Sequence, residues 1–325
     1  MKLKLEIQIA LTLALLTQVP ATVAADPPAA PPRLFREAPQ IAKVEVAPIL
    51  AAAYTGKRVV AVGDFGIVIL SDDGKIFRQA KTVPTRSVLT SVFFIDAEHG
   101  WAVGHDGTVI ATSDAGETWQ VLRVESGKDR VLLSVWFENA QHGFAVGQFG
   151  LVLETADGGK TWNERRLLEG DAGDKHLLQI VPAGAGLVLM VAEAGAILRS
   201  EDSGKSWQLV QTDNRGSFWT GLALNDGTLL VAGMRGHIYR STDRGLTWKE
   251  VPSTTLQSLT GLVQNKDGTV RVAGLSGTVL SSKDQGQTYT ASVLPERNNL
   301  TAIVNGPAGE LLFSLGGLVK TPRGG

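Results

Sequence analysis

The hydrophobic pattern of this chain is a series of short apolar runs separated by glycine-rich or polar turns. The runs recur in a fixed order: strand, turn, strand, tight glycine turn, strand, polar box, strand. The tight turn has the form Gly-x-x-Gly, as between Gly63 and Gly66 or between Gly147 and Gly150. Four strands within roughly 40 to 45 residues are typical of one blade of a β-propeller.

A polar box of the form Thr/Ser-x-Asp-x-Gly-x-Thr-Trp precedes the last strand of each period. It occupies residues 112–119, 155–162, 200–207, 241–248 and 282–289, and a worn copy occupies residues 70–77. Successive box aspartates are 42, 43, 45, 41 and 41 residues apart, which identifies a repeat protein. The aspartates assigned to the six boxes are Asp72, Asp114, Asp157, Asp202, Asp243 and Asp284.

The chemistry of the box is accounted for without a substrate. Aspartate can accept hydrogen bonds from backbone N–H groups two or three residues on, and glycine supplies the positive φ that a tight turn requires. The aromatic residue packs the turn onto its blade. We therefore interpret the boxes as structural, with the aromatic position filled by Trp119, Trp162, Trp207, Trp248 and Tyr289.

Six boxes predict six blades, and the apolar runs at residues 300–304 and 311–320 predict the inner strands of a seventh. The strand-like segment at residues 41–46 precedes the first blade, and we predict that it adds the outer strand of the last one. That addition would close the ring and cover a sheet edge. The expected fold is all-β: a seven-bladed β-propeller of four-stranded antiparallel blades over residues 40–325, closed by an N-terminal strand.

The start of the chain has the layout of a secretory signal peptide, with Lys2 and Lys4 ahead of an apolar run and small residues up to Ala25. We predict that residues 1–25 are a signal peptide cleaved near Ala25, and that residues 26–39 are a proline-rich linker. The expected location is the periplasm, or the thylakoid lumen in a phototroph. The chain contains no cysteine, so neither disulfides nor thiolate metal sites can form.

Charge and histidine placement exclude several classes of function. The chain has 31 basic and 32 acidic side chains, so no nucleic-acid partner is indicated. Its 5 histidines lack the spacing of metal ligands, and the Gly-x-x-Gly phrases lie between strands instead of opening helices. We expect no metal, no cofactor and no small-molecule substrate.

The boxes resemble the Asp-box, or bacterial-neuraminidase repeat, of sialidases, xyloglucanases and sortilin-like receptors. With seven blades and a signal peptide, the chain is most similar to the photosystem II assembly and stability factor family over about residues 40–322. The resemblance implies a non-catalytic factor that holds a membrane-protein intermediate at the periplasmic side, partly through an arginine-rich surface. In a heterotroph it implies an accessory role beside an exporter of the resistance-nodulation-division type.

We expect the partner to bind the face of the propeller that collects the glycine turns and the loops between blades. Arginine suits such an interface because its planar fork pairs with carboxylates and stacks on aromatic rings. The alternative is a scatter of solvated charges, since Asp64, Asp106, Glu169, Asp171 and Asp174 lie on the same face. The candidate residues are Arg86, Lys128, Arg130, Arg215, Arg235, Arg297, Phe65, Phe149 and Met234.

The alternative function is a glycoside hydrolase or a carbohydrate-binding propeller of the sialidase/xyloglucanase type. The Phe/Tyr-Arg-Ile-Pro motif of sialidases is absent, and the 3 tyrosines, Tyr54, Tyr239 and Tyr289, occupy repeat or strand positions. A paired-carboxylate enzyme would have to use Asp64, Asp106 or Glu193, which lie in turns. A carbohydrate binder would need exposed aromatics, whereas Trp101, Trp136 and Trp219 are expected in the core.

Overall fold

The computed structural model describes residues 36–125 and 127–319 and shows a seven-bladed β-propeller. Six sheets have four antiparallel strands and the seventh has three. The described residues contain short 3-10 turns and no α-helix, hence no helix long and apolar enough to cross a membrane. The predicted signal peptide and residues 26–35 of the predicted linker lie outside the described residues.

The strands follow the predicted order in blades one to six, and blade seven has the first three. Blade one contains β1 Ile49–Tyr54, β2 Val59–Gly63, β3 Val68–Ser71 and β4 Arg78–Gln79. Blade two contains β5 Leu89–Phe94, β6 Gly100–Gly104, β7 Val109–Thr112 and β8 Gln120–Arg123. Blade three contains β9 Leu132–Phe137, β10 Gly143–Gly147, β11 Val152–Thr155 and β12 Asn163–Glu164. Blade four contains β13 Leu177–Pro182, β14 Val188–Ala192, β15 Ala196–Ser200 and β16 Gln208–Gln211.

The remaining blades complete the ring. Blade five contains β17 Phe218–Ala223, β18 Leu229–Gly233, β19 Ile238–Ser241 and β20 Lys249–Val251. Blade six contains β21 Leu259–Gln264, β22 Val270–Gly274, β23 Thr278–Ser282 and β24 Thr290–Val293. Blade seven contains β25 Leu300–Gly306, β26 Gly309–Ser314 and β27 Gly317–Val319. The 3-10 turns span Val44–Val46, Asp64–Gly66, His105–Gly107, Gln148–Gly150, Gly170–Asp174, Met234–Gly236 and Leu275–Gly277.

The first strand of each blade is innermost and packs beside the first strand of the next blade. The core lies between neighbouring blades, where the second and third strands are almost fully buried. The ring closes where β25 packs beside β1, and Thr301 Oγ1 donates a hydrogen bond of 2.6 Å to the Ile49 carbonyl. Burial of apolar side chains between blades is the main source of stability for this fold.

The predicted closing strand at residues 41–46 is wrong. Val44–Val46 forms a 3-10 turn, and blade seven has three strands within the described residues. The Glu45 carbonyl lies 2.0 Å from where a Cβ on Gly317 would stand. The Thr85 carbonyl stands in the same relation to Gly66, at 2.1 Å. Glu45 and Thr85 each precede an inner strand by four residues, so this segment occupies an interblade-loop position.

The residues just before this turn pack along blade one. Ala38 is buried, and its N–H donates to the Val83 carbonyl at 2.8 Å. Gln79 Nε2 donates to the Pro39 carbonyl, and Ile41 N–H donates to Gln79 Oε1. The part of the predicted linker that the structure describes therefore contacts the propeller.

Candidate functional site

The box carboxylates accept hydrogen bonds from groups in their own turns. Asp157 accepts hydrogen bonds from the Thr161 hydroxyl at 2.6 Å, the Thr161 N–H at 2.8 Å and the Thr155 hydroxyl at 2.9 Å. The bonds from Thr161 lower the pKa of Asp157 from 3.8 to about 2. Asp202 and Asp284 show the same network and also have a pKa of about 2. In these boxes the carboxylate oxygens accept hydrogen bonds within the turn, from as far as four residues ahead.

Blade one departs from the predicted assignment, because Asp73 and not Asp72 is its box aspartate. Asp73 Oδ1 accepts the N–H groups of Lys75 and Ile76 and the Ser71 hydroxyl. Asp72 instead pairs with Arg58 at 2.5 Å, and that hydrogen bond lowers the pKa of Asp72. The worn box is one residue shorter between its serine and its glycine, which shifts the aspartate register.

The box aromatics join neighbouring blades. Trp119 is 2% exposed, packs in a cluster with blades one and two, and donates its indole N–H to the Gly116 carbonyl at 3.0 Å. Trp162 and Tyr289 fill the same position, but the Trp162 indole N–H and the Tyr289 hydroxyl are buried without a partner within the described residues. The aromatic position therefore tolerates an unpaired polar atom in exchange for apolar burial.

Four of the box turns also receive a hydrogen bond from the preceding blade. The acceptor is the carbonyl of the residue after the aspartate. Arg58 donates to Ala115, Arg199 to Arg244 and Arg240 to Gln285, and in blade two the Trp101 indole donates to Gly158. The face of the propeller that carries the boxes, here called the box face, is thus a set of turns held in place by hydrogen bonds.

The opposite face carries the glycine turns. In six blades the residue before the last glycine of this turn has a left-handed backbone, with φ between 53° and 57°, and in blade four Ala192 replaces the first glycine. These residues are Phe65, Asp106, Phe149, Ala194, Arg235 and Ser276. A left-handed backbone at a residue other than glycine is strained and presents its side chain at the tip of the turn.

These turns bind the next interblade loop, so the turns and loops form one face, here called the loop face. Gly107 N–H donates to the Arg130 carbonyl at 2.7 Å, and Gly150 N–H to the Lys175 carbonyl at 3.0 Å. Phe149 N–H donates to His176 Nδ1 at 2.9 Å, and the Phe149 ring stands edge-on to that imidazole. Phe65 and Phe149 are exposed here.

The candidate basic residues divide into two groups. Lys128 and Arg130 are bound to acids: Arg130 lies 2.6 Å from Glu164 and 3.4 Å from Glu125, and Lys128 lies 3.6 Å from Glu125. The Glu164 carboxylate raises the pKa of Arg130. The others are exposed and make no ion pair within the described residues: Arg86, Arg215, Arg235 and Arg297.

Three candidates converge on one cleft between blades four and five, with a volume of about 580 Å³. Arg215, Met234 and Arg235 all line this cleft. Arg86, Arg297, Phe65 and Phe149 are not part of this cleft. We refer to it below as the arginine cleft.

Four residues of the arginine cleft were not identified from the sequence. The Tyr239 hydroxyl donates to Asp213 Oδ1 at 2.7 Å, and His237 Nδ1 lies 2.5 Å from Glu250 Oε1. Burial, and next the bond to Asp213, raise the pKa of Tyr239. No sequence signal pairs these residues, since Tyr239 is in β19 and Asp213 is in the loop before β17. The wall carboxylates are therefore already engaged by uncharged or imidazole partners.

The three carboxylates considered for a hydrolase lie on separate blades and are bound locally. Asp64 accepts the Phe65 N–H at 2.7 Å, and Asp106 accepts the Ser87 hydroxyl at 3.1 Å. Glu193 accepts the His176 N–H at 3.0 Å. No group of three or more Asp, Glu or His side chains in the described part of the chain could hold a metal ion.

A seven-bladed ring with these fastened turns defines the class of Asp-box β-propellers. The family model described as "Photosynthesis system II assembly factor YCF48" matches residues 70–133 and 121–271, and the chain belongs to that family.

Two curated relatives are similar to this chain over part of its length. Photosystem II assembly protein Ycf48 of Thermosynechococcus vestitus is 42% identical over 134 residues, covering 41% of this chain and 38% of that protein. Its namesake in Synechococcus sp. (strain JA-3-3Ab) is 36% identical over 156 residues, covering 46% of each chain. The matched region spans less than half the length of these curated relatives.

Solved structures share the fold. One described as "YCF48 bound to D1 peptide" is 19% identical with a TM-score of 0.68, covering 84% of this chain and 92% of that one. YCF48 from Cyanidioschyzon merolae is 15% identical with a TM-score of 0.66, covering 88% and 97%. The GH74 enzyme of Niastella koreensis is 14% identical with a TM-score of 0.66, covering 88% and 53%. Because an enzyme and assembly factors match equally well, the likeness establishes architecture alone.

Proposed function

We propose that this protein is an exported, non-catalytic scaffold that binds a membrane protein or membrane-protein complex through its loop face. The observation that carries the proposal is the arginine cleft, which Arg215, Arg235 and Met234 line and in which neither arginine has an ion-pair partner in the described residues. Arginine and methionine are enriched at the centres of protein interfaces. This combination suits a partner segment with both acidic and apolar side chains.

The walls of the arginine cleft support this proposal. Asp213 is engaged by the Tyr239 hydroxyl, and Glu250 is engaged by His237. Glu193 is used by the His176 backbone. Since these carboxylates already have partners, the two guanidinium groups keep their donors for a partner carboxylate. Lys128 and Arg130 are less available to a partner carboxylate, because they already form ion pairs with Glu125 and Glu164.

Family membership supports a partner of the photosystem type. A relative of the same fold is described as bound to a D1 peptide, and we propose that a membrane-protein segment of this kind is the partner here. Residues 1–25, with their signal-peptide pattern, support export to the periplasm or thylakoid lumen. In a host without a photosystem, we propose an exporter of the resistance-nodulation-division type as partner.

A non-catalytic role is supported by the use of the candidate acids in turns. Asp64, Asp106 and Glu193 each hold a backbone or hydroxyl group of their own region. A raised pKa of Tyr239 disfavours the tyrosinate that a sialidase-type nucleophile would approach. Turnover of fluorogenic glycosides by the purified protein would contradict this part of the proposal.

The test is a double charge reversal, Arg215→Glu with Arg235→Glu, in full-length protein. Crosslinking in the cell envelope followed by mass spectrometry identifies the partner of the unmodified protein, and a synthetic D1 peptide serves as a defined probe. We expect the double variant to lose capture of that partner while keeping its melting temperature. Lys160→Glu with Lys205→Glu, the same charge change on exposed box-face lysines, is the matched control. Unchanged capture by the arginine variant overturns the proposed surface.

A further inference from the structure

The inner strands of all seven blades converge on a central channel with a volume of about 420 Å³. This size falls within the range of small-molecule sites, roughly 300–1,000 Å³. No charged side chain lines it within the described residues, in contrast to the arginine cleft. Any ligand that fits the channel is therefore uncharged, since a buried charge without a partner is costly.

The inner strands present mostly small residues to the channel. The strand pairing aligns Ala51, Ser91, Ser134, Thr220, Gly261 and Ala302 at one level. In blade four the same level carries Gln179, the one long polar side chain in this ring. A single amide in a ring of small residues leaves room for a ligand next to it.

Gln179 is held so that its amide nitrogen remains available. Its Oε1 accepts the Gly221 N–H on the neighbouring blade at 2.7 Å. Its Nε2 has no acceptor among the described residues, and neither does the hydroxyl of Ser91 across the channel lining. The channel thus offers an amide donor and a hydroxyl, which can donate or accept.

Trp219 supplies an aromatic surface to the same channel. It is the extra residue of a β-bulge in β17, between the paired positions Phe218 and Thr220. The bulge places it among the channel-lining residues, and it is half-buried. The expectation that Trp219 belongs to the core is therefore wrong, whereas Trp136 is buried as expected.

We propose that the central channel binds a neutral polyhydroxylated ligand, namely a sugar ring, stacked on Trp219 and hydrogen-bonded by Gln179 and Ser91. An aromatic face beside amide and hydroxyl groups matches the alternating C–H and O–H surfaces of a sugar. The proposal stands apart from partner binding, because the channel and the arginine cleft share no lining residue.

Saturation-transfer NMR and calorimetry on the purified full-length protein test this site, with glucose, N-acetylglucosamine, maltose and cellobiose as probes. We expect saturable binding of at least one probe, weakened about tenfold or more by Trp219→Ala and by Gln179→Ala, and largely retained in Trp219→Phe. The disaccharides distinguish a free sugar from the end of a longer glycan.

Arg215→Glu with Arg235→Glu is the control, and we expect it to leave sugar binding unchanged. Trp219→Phe and Gln179→Ala keep the test informative if Trp219→Ala fails to fold. Absence of binding by every probe at about 10 mM overturns the proposal. Equal binding by the unmodified protein and by folded Trp219→Ala and Gln179→Ala overturns it as well.

Discussion

The two faces of this propeller use the same residue types for opposite purposes. On the box face, carboxylates, hydroxyls and arginines bind one another and the backbone, so that Asp157 or Arg199 has little to offer a ligand. On the loop face, Arg215 and Arg235 have no ion-pair partner within the described residues. Functional-group density is therefore a poor guide to function in a repeat protein, and unused bonding capacity is a better one.

We expect the largest difference in stability between the two faces when a box aromatic is replaced. Trp119→Ala removes a side chain that is 2% exposed and stands edge-on to Phe94, which should lower the free energy of unfolding by about 3–5 kcal/mol. Urea denaturation measures the change. The double charge reversal at Arg215 and Arg235 is the matched loop-face comparison and should change stability by about 0.5 kcal/mol or less. Similar losses in the free energy of unfolding for both variants would contradict this division between the box face and the loop face.

A box aspartate is expected to have the next largest effect. Asp243 binds the hydroxyls of Ser241 and Thr247 and the N–H groups of Leu246 and Thr247. Asp243→Ala should cost about 1.5–3 kcal/mol, because the turn loses charge-assisted hydrogen bonds. Thermal denaturation checks stability, and crosslinking to the partner should be unaffected in the folded variant. A variant of normal stability that has lost its partner would overturn the structural role.

Acid should weaken the box face selectively. The folded pKa of Asp157, Asp202 and Asp284 is about 2, below the ordinary value of 3.8. A lowered folded pKa contributes stability above the ordinary value and loses it as the pH falls toward the folded one. Melting temperature should therefore decline between about pH 4 and 2. The decline should be shallower in a triple Asp→Asn variant, and an identical pH profile would argue against this origin.

The smallest predicted effect separates two adjacent aspartates. Asp73→Ala should lower the melting temperature more than Asp72→Ala, because Asp73 holds the turn whereas Asp72 makes a partly exposed pair with Arg58. Each variant serves as the control for the other. The reverse order would restore Asp72 as the box residue of blade one.

Much of the fold could be predicted from the sequence because each blade repeats the same local chemistry. The glycine turns and boxes mark strand ends directly, and their period indicates the number of blades. The prediction of a closing strand at residues 41–46 was wrong because the alternation of apolar residues in this segment resembles that of a strand. Yet only Ala47 and Pro48 separate Val46 from β1, which leaves this segment the place of an interblade loop.

The candidate site was less accessible to sequence reasoning. The loop face was predicted from the strand order, but ion pairing decides which arginines are free. Arg130 and Glu164 are 34 residues apart, and Tyr239 and Asp213 are 26 apart, so neither contact follows from local spacing. Trp219 was assigned to the core because a bulge cannot be seen in an apolar run. Contacts between blades are where the sequence pattern stops being informative.

The left-handed tips of the glycine turns bear on how such a protein can change its partner. Six tips share one backbone geometry yet carry phenylalanine, aspartate, alanine, arginine or serine. The flanking glycines and the loop hydrogen bonds hold the conformation, so the tip residue itself contributes little to it. Each tip is consequently a position where mutation can alter recognition without rebuilding the blade. These six tips therefore form a ring of positions on the loop face where substitutions can change recognition while the blades keep their backbone geometry.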